Sequence, residues 1–219
     1  MIIVGICGGS GRGKSTFAER IRDGLSCSCE IMRLDCYYFD QGGKPFEERT
    51  KVNYDSPEIF DFDEMLADIR LLLDGKPVTR KGYNYAEHRR DDSEELMYPP
   101  EVLIIEGIHV FYDDRICDIM NLKLFIKVDS DICLLRRIAR DMNERGRSLE
   151  SISEQYKATV KPMREKYIDK YIDKADVVVM RGGMNEQALK TTISYLKSCV
   201  KEQRSAESEK NESDGNDSE

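Results

Sequence analysis

The chain has 219 residues, a formal net charge of −8, and 40% apolar against 35% charged residues. That balance describes one soluble globular domain and excludes a membrane-spanning protein, because no run approaches the roughly 20 apolar residues a spanning helix requires. The acidity also argues against a general nucleic-acid binder, which needs a basic face.

The first residues, 2–7, form an apolar run too short for a signal peptide and without a basic flank, so they predict a strand that starts at once. Further strands are expected at 30–34, 102–105, 122–128 and 175–180, rich in Val and Ile with little polar alternation, as suits strands covered on both faces. Helical patterns fall between them at 14–25, 57–73, 131–142, 149–172 and 185–200, and Pro162 should kink or divide the fourth of these. Strand–helix alternation predicts an α/β fold with a mostly parallel sheet flanked by helices. Residues 36–56, polar and containing Gly42, Gly43 and Pro45, predict a long functional loop. Residues 77–98 hold two β-like stretches, 78–85 and 95–98, around a charged turn, a β-hairpin insert. Residues 201–219 carry seven acids and three bases with almost no apolar residue, an acidic tail expected to be disordered after a domain spanning 1–200. No internal repeat is present. Seven cysteines without a C-x-x-C pair suggest neither a zinc knuckle nor a disulfide framework, and a reduced, cytoplasmic setting is the simplest expectation.

Chemistry enters at Gly8-Gly9-Ser10-Gly11-Arg12-Gly13-Lys14-Ser15, which matches G-x4-G-K-(S/T), directly after a strand and at the start of a helix. Glycines let successive backbone N–H groups converge on phosphate oxygens, and the helix N-terminus adds partial positive charge. Lys14 should reach the β- and γ-phosphates, and Ser15 should offer its hydroxyl to Mg²⁺. A dinucleotide-binding turn is excluded because Ser10 stands where a third glycine would be required. Asp40-Gln41-Gly42-Gly43 matches a D-x-x-G switch, but no N-K-x-D follows, which argues against a GTPase. Glu106, closing the 102–105 strand, stands where an acid can hold Mg²⁺, or is simply a strand-end carboxylate. Asp35 follows the second strand; it could take a proton from an attacking hydroxyl or cap its loop. Arg136, Arg137, Arg140, Arg145 and Arg147 crowd into twelve residues, a cationic cluster on an acidic protein that suits a small anionic ligand, although i,i+4 pairing on a helix surface would also account for part of it. Gly146 between two of these arginines permits a mobile lid, about 137–150.

Several stretches together resemble the uridine–cytidine kinase family: the phosphate loop GGSGRGKS, DCYYFDQGGKPFEERTKVNYDSP (35–57), GYNYAEHRR (82–90), VLIIEGIHVFYD (102–113) and RRIARDMNERGRSLESISEQY (136–156). They cover residues 1 to about 180 in family order. The resemblance implies a P-loop kinase that moves the ATP γ-phosphate to the 5′-hydroxyl of uridine or cytidine, with Mg²⁺, in the cytoplasm, as a homotetramer, with neither nucleic acid nor membrane as partner; ATP versus GTP as donor stays open. It implies Asp35 as the base, with Lys14 and Arg137 also catalytic, and Ser15 and Glu106 as metal ligands. Residues 8–15, Thr16, Arg140 and Arg145 would bind ATP. Asp55 would grip the ribose hydroxyls; Tyr54, Tyr83 and Tyr85 would enclose the pyrimidine; His88, Arg147 and Gln155 would contact the base; and Arg137 would lie by the acceptor hydroxyl. From the residues alone, Tyr83 and Tyr85 could equally pack on a hairpin face, and His88 could be a solvated loop residue. His109 has no role in this scheme and is expected to be structural. Two departures stand out: Lys81-Gly82-Tyr83 where a Pro-x-Tyr is frequent, and Arg12 where a small residue is common, its side chain expected to point outward. A phosphoribulokinase-like kinase of a sugar phosphate and a non-catalytic nucleotide-binding regulatory module are the competing readings.

Overall fold

The structure is a computed structural model that describes residues 1–216, with side chains to residue 209. In chain order, the elements are β1 (Ile2–Cys7), α1 (Lys14–Gly24), β2 (Cys29–Arg33), a 3₁₀ turn (Leu34–Tyr37), α2 (Phe46–Arg49), a second 3₁₀ turn (Pro57–Ile59) and α3 (Phe62–Leu73). They continue with β3 (Val78–Asn84), β4 (Arg89–Met97), β5 (Val102–Gly107), α4 (Asp114–Cys117), β6 (Leu122–Lys127), α5 (Ser130–Arg145), α6 (Leu149–Gln155), α7 (Lys161–Lys166), β7 (Val177–Met180) and α8 (Glu186–Asn216). Five strands form one sheet in the order β2-β5-β1-β6-β7, with every pairing parallel, while β3 and β4 pair only with each other, antiparallel.

Both faces of the sheet are covered at β1 and β5, which is why these strands read as continuous apolar runs. The edge strand β7, expected from its valines to be covered as well, buries only Val179 and leaves Val177, Val178 and Met180 exposed, because nothing among the described residues pairs with its outer edge. Successive side chains of β1 point to opposite faces. Ile3 and Cys7 pack with Leu103, Ile105, Phe125 and the apolar side of α3. Ile2, Val4 and Ile6 pack with Phe17, Ala18 and Ile21 of α1 and with Leu189, Leu196 and Val200 of α8. Register then aligns the strand ends: Cys7 pairs with Gly107, and Arg33 with Glu106, so β1, β5 and β2 release their following loops side by side at one edge.

Three further expectations are corrected. The second hairpin strand begins at Arg89 rather than near residue 95; Arg-Arg-Asp-Asp-Ser-Glu-Glu is uncharacteristic of a strand, but in a two-stranded ribbon these side chains remain largely at the surface. The chain beyond Val200 is not irregular: α8 continues to Asn216 because Lys, Glu, Gln, Ala and Arg favour a helix without tertiary burial, helped by paired contacts of Arg204 with Glu101 at 2.6 and 2.8 Å. Residues 217–219 of the acidic tail lie outside the described residues. Arg12 does not point outward. It is buried, donates to Asp169 Oδ1 at 2.7 Å and lies over the Phe125 ring at 5.1 Å. Pro162 does divide its pattern. It follows a π-turn over Tyr156–Val160 that separates α6 from α7, the helical backbone running through all three, and this widened turn accommodates a residue that has no N–H to give.

Candidate active site

The phosphate loop turns between β1 and α1. Gly11 and Gly13 have φ of +78° and +86°, and a Cβ on Gly11 would stand 2.5 Å from the Cys133 carbonyl oxygen. Only glycine tolerates both demands at once. No side chain caps the N-terminus of α1, which leaves its first N–H groups for a ligand. Lys14 is folded back over the loop, with Nζ donating to the Gly9 carbonyl at 3.3 Å.

The carboxyl edge of the sheet supplies the acids. Ser15 Oγ donates to Glu106 Oε1 at 2.8 Å, and Glu106 is 6% exposed. Burial raises the Glu106 pKa, against the pull of the Lys14 charge. Among the described residues no cluster of three His, Cys, Asp or Glu could hold a metal. A hydroxyl and one buried carboxylate nevertheless suit Mg²⁺, which takes one or two protein oxygens and completes its shell with water and phosphate. Asp35 lies in the 3₁₀ turn just after β2 and accepts a 2.6 Å hydrogen bond from the Tyr85 hydroxyl.

Asp55 reaches the same place from the 38–61 loop. Its carboxylate accepts from Thr159 Oγ1 at 3.1 Å, and its pKa is raised by burial, with Arg137 and the Thr159 hydrogen bond opposing. Its position depends on His109, which is fully buried, with Nε2 2.8 Å from the Asp55 carbonyl oxygen and Nδ1 2.9 Å from the Tyr171 hydroxyl. Burial lowers the His109 pKa to about 4, so the ring is neutral and acts as a strut. Its structural role was expected; its attachment to the Asp55 backbone was not.

The hairpin brings an aromatic wall. Tyr38 stacks on Phe60 at 4.4 Å and meets Tyr83 at 4.7 Å; Tyr54 stacks on His88 at 5.1 Å; Tyr83 meets Tyr85 edge-on at 5.1 Å. His88 has a left-handed φ of +50° and a pKa lowered by burial and by Arg147. It is therefore packed in the wall and is not a solvated loop residue.

Arginines converge from α5 and the segment after it. Asp141, completely buried, has Arg140 at 2.8 Å, Arg137 and Arg145 each at 3.5 Å and Arg147 at 3.8 Å. Arg137 and Arg147 also donate to Gln155 Oε1, the former at 2.9 Å. Arg140 reaches Ser10 Oγ at 3.4 Å. Arg136 faces solvent and takes no part. Gly146, at φ +61°, ends α5 and lets Arg147 turn back.

One cavity of about 340 Å³ is shared by Ser10, Lys14, Ser15, Asp35, Tyr54, Asp55, Tyr83, Tyr85, His88 and Glu106, and by Arg137, Arg140, Arg145, Arg147 and Gln155. Of the sequence-predicted side chains, Arg12 is the one turned clearly elsewhere, toward Asp169; Gly8, Gly9, Gly11, Gly13 and Thr16 contribute through the backbone turn and the start of α1. Sequence reasoning missed Thr159 and the gathering role of Asp141. An aspartate amid five arginines was a visible signal for the second; nothing local marks a threonine 104 residues from its partner.

A sequence model described as the Phosphoribulokinase / Uridine kinase family matches residues 3–188. A protein named uridine kinase from Ligilactobacillus salivarius (strain UCC118) is 41% identical over 201 residues, 91% of this chain and 94% of that protein. Another of the same name, from Streptococcus pyogenes serotype M5 (strain Manfredo), is 43% identical over 202 residues, 92% of this chain and 97% of its own. A solved phosphoribulokinase from Rhodobacter spheroides shares the fold, with a TM-score of 0.61 at 16% identity over 82% of this chain and 69% of that one. With a phosphate loop, strand-end acids and converging arginines on a parallel sheet, this chain belongs to the phosphoribulokinase/uridine kinase family.

Proposed function

We propose that this chain is an ATP-dependent uridine–cytidine kinase, transferring the γ-phosphoryl group of ATP to the nucleoside 5′-hydroxyl to give UMP or CMP. The observation behind the reading is that Asp35 and Asp55, from separate loops, line one cavity with the Lys14 loop. Relatives named uridine kinase at 41–43% identity over more than nine-tenths of the chain support it.

In this mechanism the backbone N–H groups of the phosphate loop and Lys14 hold the triphosphate. Ser15 and Glu106 would hold Mg²⁺, which when bound offsets negative charge on the phosphoryl oxygens. Asp55 accepts from the ribose 2′- and 3′-hydroxyls, since one carboxylate can serve two adjacent donors. Tyr54, Tyr83 and Tyr85 enclose the pyrimidine, with His88, Arg147 and Gln155 contacting the base. Arg140 and Arg145 leave Asp141 for the phosphates, Arg137 steadies the acceptor oxygen, and Asp35 takes its proton as it attacks in line. Positioning and charge neutralisation then supply most of the rate. Work in the cytoplasm is part of this reading. Assembly as a homotetramer is part of this reading, and exposed Val177, Val178, Met180 and Met184 along the β7 edge suit burial between copies.

The deciding experiment measures ADP release with uridine, cytidine, adenosine and ribulose 5-phosphate, each with ATP and with GTP. Turnover with uridine or cytidine is expected. Turnover with ribulose 5-phosphate alone would replace this reading with the sugar-phosphate one, and none with any acceptor would leave a non-catalytic nucleotide binder. Asp35→Asn should lower kcat by about 10²–10⁴, the usual contribution of a general base, with ATP affinity retained.

A further inference from the structure

One contact in the cavity serves neither substrate. The Tyr85 hydroxyl donates to Asp35 Oδ2 at 2.6 Å, while the same ring carries the Arg145 guanidinium over its face at 4.1 Å and meets Tyr83 edge-on. Base, lid arginine and aromatic wall thus meet on one side chain. A phenyl ring would suffice to enclose a pyrimidine or to seat Arg145, so the hydroxyl is surplus to the role the family resemblance implies.

Water is a competing acceptor for any kinase of this chemistry. With ATP bound and the nucleoside absent, a water oxygen could form a bond to the γ-phosphorus as the bond to the β–γ bridging oxygen breaks. ADP would leave with that electron pair, and the water proton would pass to Asp35, yielding ADP and inorganic phosphate. Closing the site and displacing solvent is the general defence. We propose that the Tyr85 hydroxyl guards Asp35 in the nucleoside-free enzyme, occupying the carboxylate oxygen that would otherwise activate water and yielding it only to the nucleoside 5′-hydroxyl. The proposal rests on Asp35 being the base.

The physics favours the exchange in one direction. A tethered hydroxyl competes with water at high effective concentration, so a free water gains little by replacing it. Burial and the Asp35 charge both raise the phenol pKa, which keeps Tyr85 a donor and prevents it from acting as a base in its turn. A nucleoside anchored on Asp55 brings its own tethered O–H to Asp35; one donor then replaces another, and the count of hydrogen bonds is conserved. Tyr85 is 38% exposed at the cavity rim, which gives its ring room to move aside.

The test uses the full chain and the variant Tyr85→Phe, which keeps the ring. It reads the ratio of ADP release without nucleoside to UMP formation with saturating uridine. The guard requires this ratio to rise about tenfold, and an unchanged ratio overturns it. Asp35→Asn added to Tyr85→Phe should abolish the extra hydrolysis; hydrolysis that persists would mean the uncovered carboxylate is not its agent and would overturn the proposal too. Asp35→Asn alone separates the two failures: full activity toward uridine would remove the base assignment itself, whereas an inactive single variant beside an unchanged Tyr85→Phe ratio would remove only the guard.

Discussion

Asp55 concentrates the conflict between burial and binding. It is 8% exposed, and removing its carboxylate from water pushes its pKa up, yet the ribose capture proposed for it needs the charged form. Arg137 and Thr159 offset part of that cost. Nucleoside binding should therefore weaken on acidification at a pH above the usual carboxylate value of about 3.9, seen as a rising KM for uridine while the ATP KM changes less. Asp55→Asn should raise the uridine KM at least tenfold at pH 7.5; an unchanged KM would remove the ribose clamp. His109 makes a separate statement, about stability. Its folded pKa of about 4 lies below the ordinary value of 6.5, so an unfolded chain takes up the proton first as the pH falls. The contribution is complete above 6.5 and is lost between 6.5 and about 4, on the order of 3 kcal/mol at 1.36 kcal/mol per unit. Denaturant unfolding at pH 7.5 and pH 5 measures it, and the slope in this window should flatten in His109→Gln.

At the scale of elements, α5 and the turn after it hold an arrangement of like charges made stable by a single buried acid. Residues 137, 140 and 141 share one face of α5 through i,i+3 and i,i+4 spacing, and Gly146 returns Arg147 to the same carboxylate. Four guanidinium groups would repel one another without Asp141, which is completely buried among them. Asp141→Asn should therefore splay the set. Initial rates against ATP should show the ATP KM raised about tenfold or more and kcat reduced; a variant with wild-type ATP kinetics would show that the arginines hold themselves in place.

For the whole molecule, the sheet and its two apolar layers carry the stability, and the far end of α8 carries little. Beyond Val200 its described side chains are at the surface apart from a half-buried Gln203, and the exposed Arg204–Glu101 pair belongs to a class worth about 0.2–1 kcal/mol. Deleting residues 205–219, which hold six acids and one base, should leave kcat unchanged and lower unfolding stability by less than about 1 kcal/mol. A larger loss would show that this helical extension packs against something, such as another copy of the chain.

The sequence by itself determined whatever depends on near neighbours along the chain. Continuous Val and Ile runs announced the strands, although not that the last of them would be an exposed edge, and six apolar residues followed by Gly8 through Ser15 announced a strand, a phosphate turn and a helix, because local backbone freedom and side-chain period are properties of short segments. Stretches at 35–57, 82–90 and 136–156 marked Asp35, Asp55 and the arginines through family resemblance before any of them could be placed in space. Only the tertiary structure decided that these residues share one cavity, that His109 and Thr159 hold Asp55, that Asp141 collects the arginines, that Arg12 turns inward to Asp169, and that Tyr85 donates to Asp35. Each of those is a contact between segments 50 to 157 residues apart, or depends on which way a helix face turns, and no local pattern encodes a distance that only packing creates.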